Sequence, residues 1–160
     1  PELLGMRRTL RSSESSEPTG SVSVTRTVEV PELDDREVLG AVAAALSHGE
    51  RSELRVDLLF VDDPTLRDLH EKFLDDPTVT DVMAFDYSQA DESQLDPEAE
   101  VYVSVDRARA VALERGVQSR DELLLYIVHG SLHLCGFDDH TDEDRDEMRA
   151  AERAVLASLS

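Results

Sequence analysis

Residues 119–148, SRDELLLYIVHGSLHLCGFDDHTDEDRDEM, read as two helices with a tight reversal between them. Leucines, Ile127 and Val128 make the first an apolar helix. Ser119 and Glu122 stand at capping-box spacing at its start, and Gly136 is its stop signal. Thr141 and Asp144 repeat the box and open a last helix carrying Met148, Ala151, Val155 and Leu159 on one face.

The chain upstream supplies the layer against which such helices pack. SVSVTRTVEV (21–30) alternates Val22, Val24, Val28 and Val30, the period of a half-buried strand. A helix follows from about Asp35 to Ser47, with Leu39, Val42, Ala43 and Leu46 on one face and Gly49 ending it. ELRVDLLFV (53–61) is a second strand. Asp63 before Pro64 predicts a capped helix start, and that helix turns Leu66, Leu69 and Phe73 inward. TDVMAFDY (80–87) and EVYVSVD (100–106) are short strands separated by an acidic loop, and RARAVALERG (107–116) is helical. Together these predict an α+β single domain with a roughly four-stranded mixed sheet and about five helices, over residues 21–160. Residues 1–20 are polar and Ser/Glu-rich and read as a disordered tail.

Composition narrows the function classes. The chain has 160 residues, 16 basic against 36 acidic, for a net charge of −20. A field of that sign repels polyanions, so a nucleic-acid role requires a local basic patch or a partner. Arg51, Arg55, Arg67, Lys72 and the arginines of 107–120 are the candidates for such a patch. Lys72 is the single lysine, and high acid with low lysine fits either a high-salt proteome or acidic drift. The single cysteine, Cys135, excludes an internal disulfide and fits a reducing, cytoplasmic compartment. No apolar run reaches the ~20 residues of a membrane span.

His129 and His133, at i and i+4 of the apolar helix, fall on one face about 6 Å apart, the spacing of two ligands to one ion. Two unpaired imidazoles on such a helix are costly to bury. The turn at Gly136 can return a third ligand to the same ion. The zinc helix H-E-x-x-H has this spacing, but Gly130 stands where that motif has its catalytic glutamate, which disfavours peptide hydrolysis. The other titratable residues have plainer readings: Cys135 as core filling, His70 as a solvent-facing residue, and His48 as a cation at a helix C-terminus.

HGSLHLCGFDDH (129–140) resembles the H-G-x-L-H-L-x-G-Y-D-H signature of the YbeY-type endoribonucleases, bacterial metalloproteins of rRNA maturation. TDVMAFDYS (Thr80–Ser88) resembles that family's T-D-V-L-S-F segment, and the resemblance spans about residues 22–158. It implies one zinc per chain on His129, His133 and a third ligand. The family's third histidine falls at Asp139, with His140 one step later, so Asp139 or His140 completes the set. A carboxylate is an ordinary zinc ligand. Leu74 stands where most of the family has an arginine, for which Lys72 or Arg67 would substitute. The resemblance further implies cutting of single-stranded RNA, maturation of the small-subunit rRNA 3′ end and ribosome quality control. The implied partners are rRNA and the small ribosomal subunit, with neither membrane nor DNA. A metal-stabilised, ribosome-associated adaptor with little nuclease activity is the alternative. No general base is evident, and Thr80 and Asp81 are either a strand start or neighbours of the site.

Overall fold

The computed structural model describes residues 6–11, 20–74, 81–88 and 96–159. Strands form in the four expected segments: β2 (Ser21–Arg26), which stops short of Val28 and Val30, β3 (Arg55–Val61), β4 (Val82–Asp86) and β5 (Ala99–Ser104). A further strand, β1 (Met6–Arg11), lies within the segment expected to be a tail and pairs antiparallel with β2. Strand pairing uses backbone groups, so a polar segment can cover the edge that β2 otherwise leaves open. Residues 1–5 and 12–19 of that segment lie outside the described residues, as does Thr80.

The sheet order is β1-β2-β3-β5-β4. The inner pairs β2–β3 and β3–β5 are parallel, and β4 joins β5 antiparallel. Leu58, Phe60, Val101 and Val103 point to one face, where α1 (Asp35–His48), α4 (Ser119–Leu134) and α5 (Asp142–Ser158) build the main core. Leu59, Val61, Met83 and Tyr102 point to the other, where Leu66 of α2 (Asp63–Leu74) covers them. This is why β3 is buried nearly from end to end, as a central parallel strand must be.

The helix α4 is the hub, touching α1, α5, β4, β5 and α3 (Val105–Arg115). Its Leu123, Ile127 and Leu132 are fully buried, each stabilising the fold by about 1.5–3 kcal/mol. The residues that carry the histidines are therefore among the most firmly held in the molecule.

Two helix starts differ from the expected caps. Asp62, not Asp63, caps α2: the Thr65 amide donates to Asp62 Oδ1 at 2.8 Å. Asp63 instead accepts from Ser104 Oγ at 3.0 Å. At α4 the Ser119/Glu122 box does not close, and Gln118 is the N-cap without a side-chain bond. Glu122 is turned inward, 3% exposed, where Arg115 Nη1 donates to it at 3.0 Å. A buried carboxylate gains more from a guanidinium than from an exposed amide. The Thr141 cap does form, its Oγ1 accepting from the Asp144 amide at 3.0 Å.

Arg109 of α3 ties down the loop before α1 through two bonds to Glu32, at 2.8 and 2.9 Å. This guanidinium, above all other causes, holds the Glu32 carboxyl down at about 2. A depressed folded pKa stabilises above the carboxyl's ordinary value of 4.5, and that contribution is lost as pH falls toward about 2. Glu32→Gln is expected to cost about 1 kcal/mol at pH 7, allowing for the partial exposure of Arg109. Urea midpoints should show the gap between variant and wild type narrowing from pH 5 to pH 3. A gap independent of pH would mean that the contact does not act through charge.

Candidate metal centre

The loop that meets the histidine face of α4 is set by a local choice at the helix end. Gly136 takes φ +96°, a region that other residues enter only with strain. That lets the Gly136 amide donate to His133 O at 3.1 Å and the Phe137 amide to Leu132 O at 3.2 Å. The pair is a Schellman closure, and it turns the chain back along the helix. Arg51 Nη1 donates to the Leu134 carbonyl at 2.7 Å, placing a cation at the helix's negative end. The returning loop is held by Arg145 of α5, whose Nη1 donates to Asp139 O at 3.2 Å and His140 O at 3.4 Å.

The outcome is a convergent set of donors. His129 Nε2 and His133 Nε2 lie 3.1 Å apart. Asp139 Oδ2 lies 3.7 Å from the first and 3.9 Å from the second. A tetrahedral ion with metal–nitrogen distances of about 2.0–2.1 Å sets its ligand atoms roughly 3.3 Å apart, close to these spacings. His140 does not join the two helix histidines among the described residues. It groups with Asp138 and Asp139, is 81% exposed, and its Nδ1 lies 3.0 Å from Asp138 Oδ2.

Glu152 of α5 completes the arrangement, with its Oε2 2.5 Å from His129 Nδ1. A carboxylate there fixes the tautomer with the proton on Nδ1 and leaves the Nε2 lone pair facing the other donors. Burial, followed by the neighbouring His129, pushes the His133 pKa down, so its ring is neutral and available as a ligand near pH 7. Two imidazoles and a carboxylate, one imidazole backed by a second carboxylate, are a chemically apt donor set for a divalent ion. Glu152→Gln is expected to weaken metal affinity by about 10–100-fold, read by competition with a chromophoric chelator. Unchanged affinity would show that His129 is oriented by packing alone.

These donors open into a cleft of about 690 Å³, whose lining includes His70, Asp81, Arg115, Tyr126, Arg149 and Glu152. His70 was expected in solvent but is 8% exposed. It lies four residues after Leu66, so the apolar stripe of α2 carries it inward. Asp81 does reach the cleft, bridged to Arg107 at 3.3 Å. The expected basic patch is differently composed. Arg51, Arg55, Arg67 and Lys72 bridge to Asp86, Glu98, Asp63 and Asp68. Arg115, Arg145 and Arg149 are the arginines on the cleft wall. Cys135 joins no metal group among the described residues, and burial pushes its thiol up to about 11. His48 sits in the last turn of α1, beside the Phe137 ring.

Glu152 and Tyr126 escaped the sequence reading. Glu152 follows Met148 by four residues, at the border of the apolar face, where an acid reads as solvated.

The family model Endoribonuclease YbeY matches residues 23–160. An Endoribonuclease YbeY of Flavobacterium psychrophilum is 35% identical over 115 residues, covering 72% of this chain and 79% of its own. That of Bacteroides thetaiotaomicron is 32% identical over 134 residues, covering 83% and 94%. A Thermotoga maritima protein solved in solution shares the fold at a TM-score of 0.55 and 19% identity, over 85% of this chain and 88% of its own. With the sheet, the histidine helix and the family match in agreement, this chain belongs to the YbeY endoribonucleases, a family of RNA-cleaving hydrolases.

Proposed function

We propose that this protein is a zinc-dependent endoribonuclease specific for single-stranded RNA, with one zinc per chain held by His129, His133 and Asp139. Its setting in this reading is small-subunit rRNA maturation and ribosome quality control in the cytoplasm, with the ribosome as partner. The observation that carries the reading is the convergence of His129 Nε2, His133 Nε2 and Asp139 Oδ2 within 4.8 Å at a cleft. His129, His133 and Asp139 would hold the ion through two imidazoles and a carboxylate, a donor set suited to a catalytic zinc. An ion held there supplies Lewis-acid polarisation of a phosphodiester and activation of water.

The chain's own residues do the remainder. Glu152 keeps the His129 proton on Nδ1, and Asp139 brings a negative charge that offsets part of the ion's. Arg145 fixes the loop that presents Asp139. Gly130 supports phosphodiester over peptide chemistry, because the glutamate base of the zinc peptidases has no counterpart there. The net charge of −20 favours a second reading, a metal-stabilised ribosome-associated adaptor. Chelator-stripped protein reloaded with zinc, given matched single-stranded and duplex RNA, separates the two. Cleavage of the single strand alone, dependent on zinc, is expected. Zinc binding at about one per chain with no cleavage would leave the adaptor.

A further inference from the structure

Ion pairing uses up nearly every cation of the cleft wall. Arg115 bonds Glu122 at 3.0 Å. Arg145 is engaged by Asp142 and by the carbonyls of Asp139 and His140. The carboxylates are committed too: Asp81 to Arg107, and Glu152 to His129. Arg149 lines the same cleft, and no ion pair or hydrogen bond engages its side chain among the described residues. Of the three arginines on the cleft wall, Arg149 is the one left without a carboxylate among the described residues.

Its place on α5 adds to this. Arg149 precedes Glu152 by three residues, so the two lie on one helix face with about 4.5 Å of axial rise between them. Glu152 touches His129, which puts the base of Arg149 within a turn of the metal-ligand cluster. A guanidinium that no carboxylate occupies suits phosphate oxygens.

We propose that Arg149 positions the substrate by holding an RNA phosphate next to the one attacked. This rests on the RNA-cleavage reading above and names the contact that lets so acidic a protein accept a polyanion. Arg153, one turn further along α5, is the internal control. It too is exposed and without an ion-pair partner among the described residues, but it is not part of the cleft wall.

The test is anisotropy of a labelled 2′-O-methyl RNA oligonucleotide on zinc-loaded protein, across a salt series, with cleavage of the unmodified RNA measured separately. Arg149→Gln is expected to weaken binding about tenfold and to lower the salt slope by about one. Arg149→Lys should keep the slope, and Arg153→Gln should match wild type. In cleavage, Arg149→Gln should raise KM while kcat and zinc content hold. Equal losses in Arg149→Gln and Arg153→Gln, no loss in either, or no RNA binding by wild type would overturn the proposal. Binding that depends on Arg149 in a protein that cuts nothing would sustain it and remove the nuclease reading instead.

Discussion

Asp139→Ala is expected to strip the metal from the protein and abolish RNA cleavage, whereas His140→Ala should keep both. The two residues are neighbours on one loop, so the contrast tests geometry with little else changed. Asp139 presents Oδ2 within 4 Å of both imidazoles, while His140, also on the cleft wall, pairs with Asp138 instead. For His140 to take the third place the loop would have to break the Arg145 bonds to both of its carbonyls. Losing a ligand should exceed the 10–100-fold that an outer partner costs. Metal content by elemental analysis should therefore fall from about one ion per chain to near zero. Cleavage should drop by on the order of a thousandfold. The fold should survive, since the Asp139 side chain is 44% exposed and buries little. Thermal midpoints belong in chelator, because a bound ion raises the stability of any variant that keeps it. Metal retained in Asp139→Ala and lost in His140→Ala would move the third ligand by one residue.

Much of this site is legible in the sequence because its parts are local. The i, i+4 histidine pair needs only a helix, and the apolar run from Leu123 to Leu134 ensures one. The reversal needs only Gly136, and the last helix starts at a Thr141 cap that forms as its spacing predicts. Where the reading departs from the structure, a partner distant in sequence decides. Glu122 has the spacing of a cap but lies within reach of Arg115, and the buried pair prevails. His70 belongs to a polar stretch in sequence, yet it shares a face with Leu66 and goes inward with it. Glu152 becomes meaningful only once α5 packs against α4. The strand β1 depends on an edge that exists only after β2 and β3 have paired.

The same distinction governs the charges. Net charge is a property of composition, but the character of the cleft follows from which arginines the carboxylates take up. Arg51, Arg55, Arg67 and Lys72 are basic in sequence and neutralised in place. The cations that reach the cleft come from α3 and α5, on either side of the histidine helix.

Gly130→Ala should be a damaging single-methyl change, and it acts through packing rather than through the metal. A Cβ at Gly130 would stand 2.5 Å from Val101 Cγ1 and 2.7 Å from Val82 Cγ1. Val101 is fully buried on β5, so it has no room to yield. The helix must instead lift from the sheet, taking His129 and His133 with it and away from Asp139. Overpacking of this kind costs about 1–3 kcal/mol, and a gain of up to ~1 kcal/mol in helix propensity offsets part of it. At the severe end, a net cost of about 2 kcal/mol lowers the thermal midpoint by roughly 4–8 °C for a chain of this length. Gly40→Ala is the matched control: the position is on α1, a Cβ there meets nothing within 4 Å, and the change should stabilise. Metal affinity should fall in the first variant and hold in the second. Equal stability in the two would mean that α4 has slack against the sheet, and then the close approach could not explain why the residue after His129 has no side chain. If the loss appears as expected, a glutamate at that position is barred by the same contact, and the peptidase arrangement is closed to this fold by sterics before its chemistry is considered.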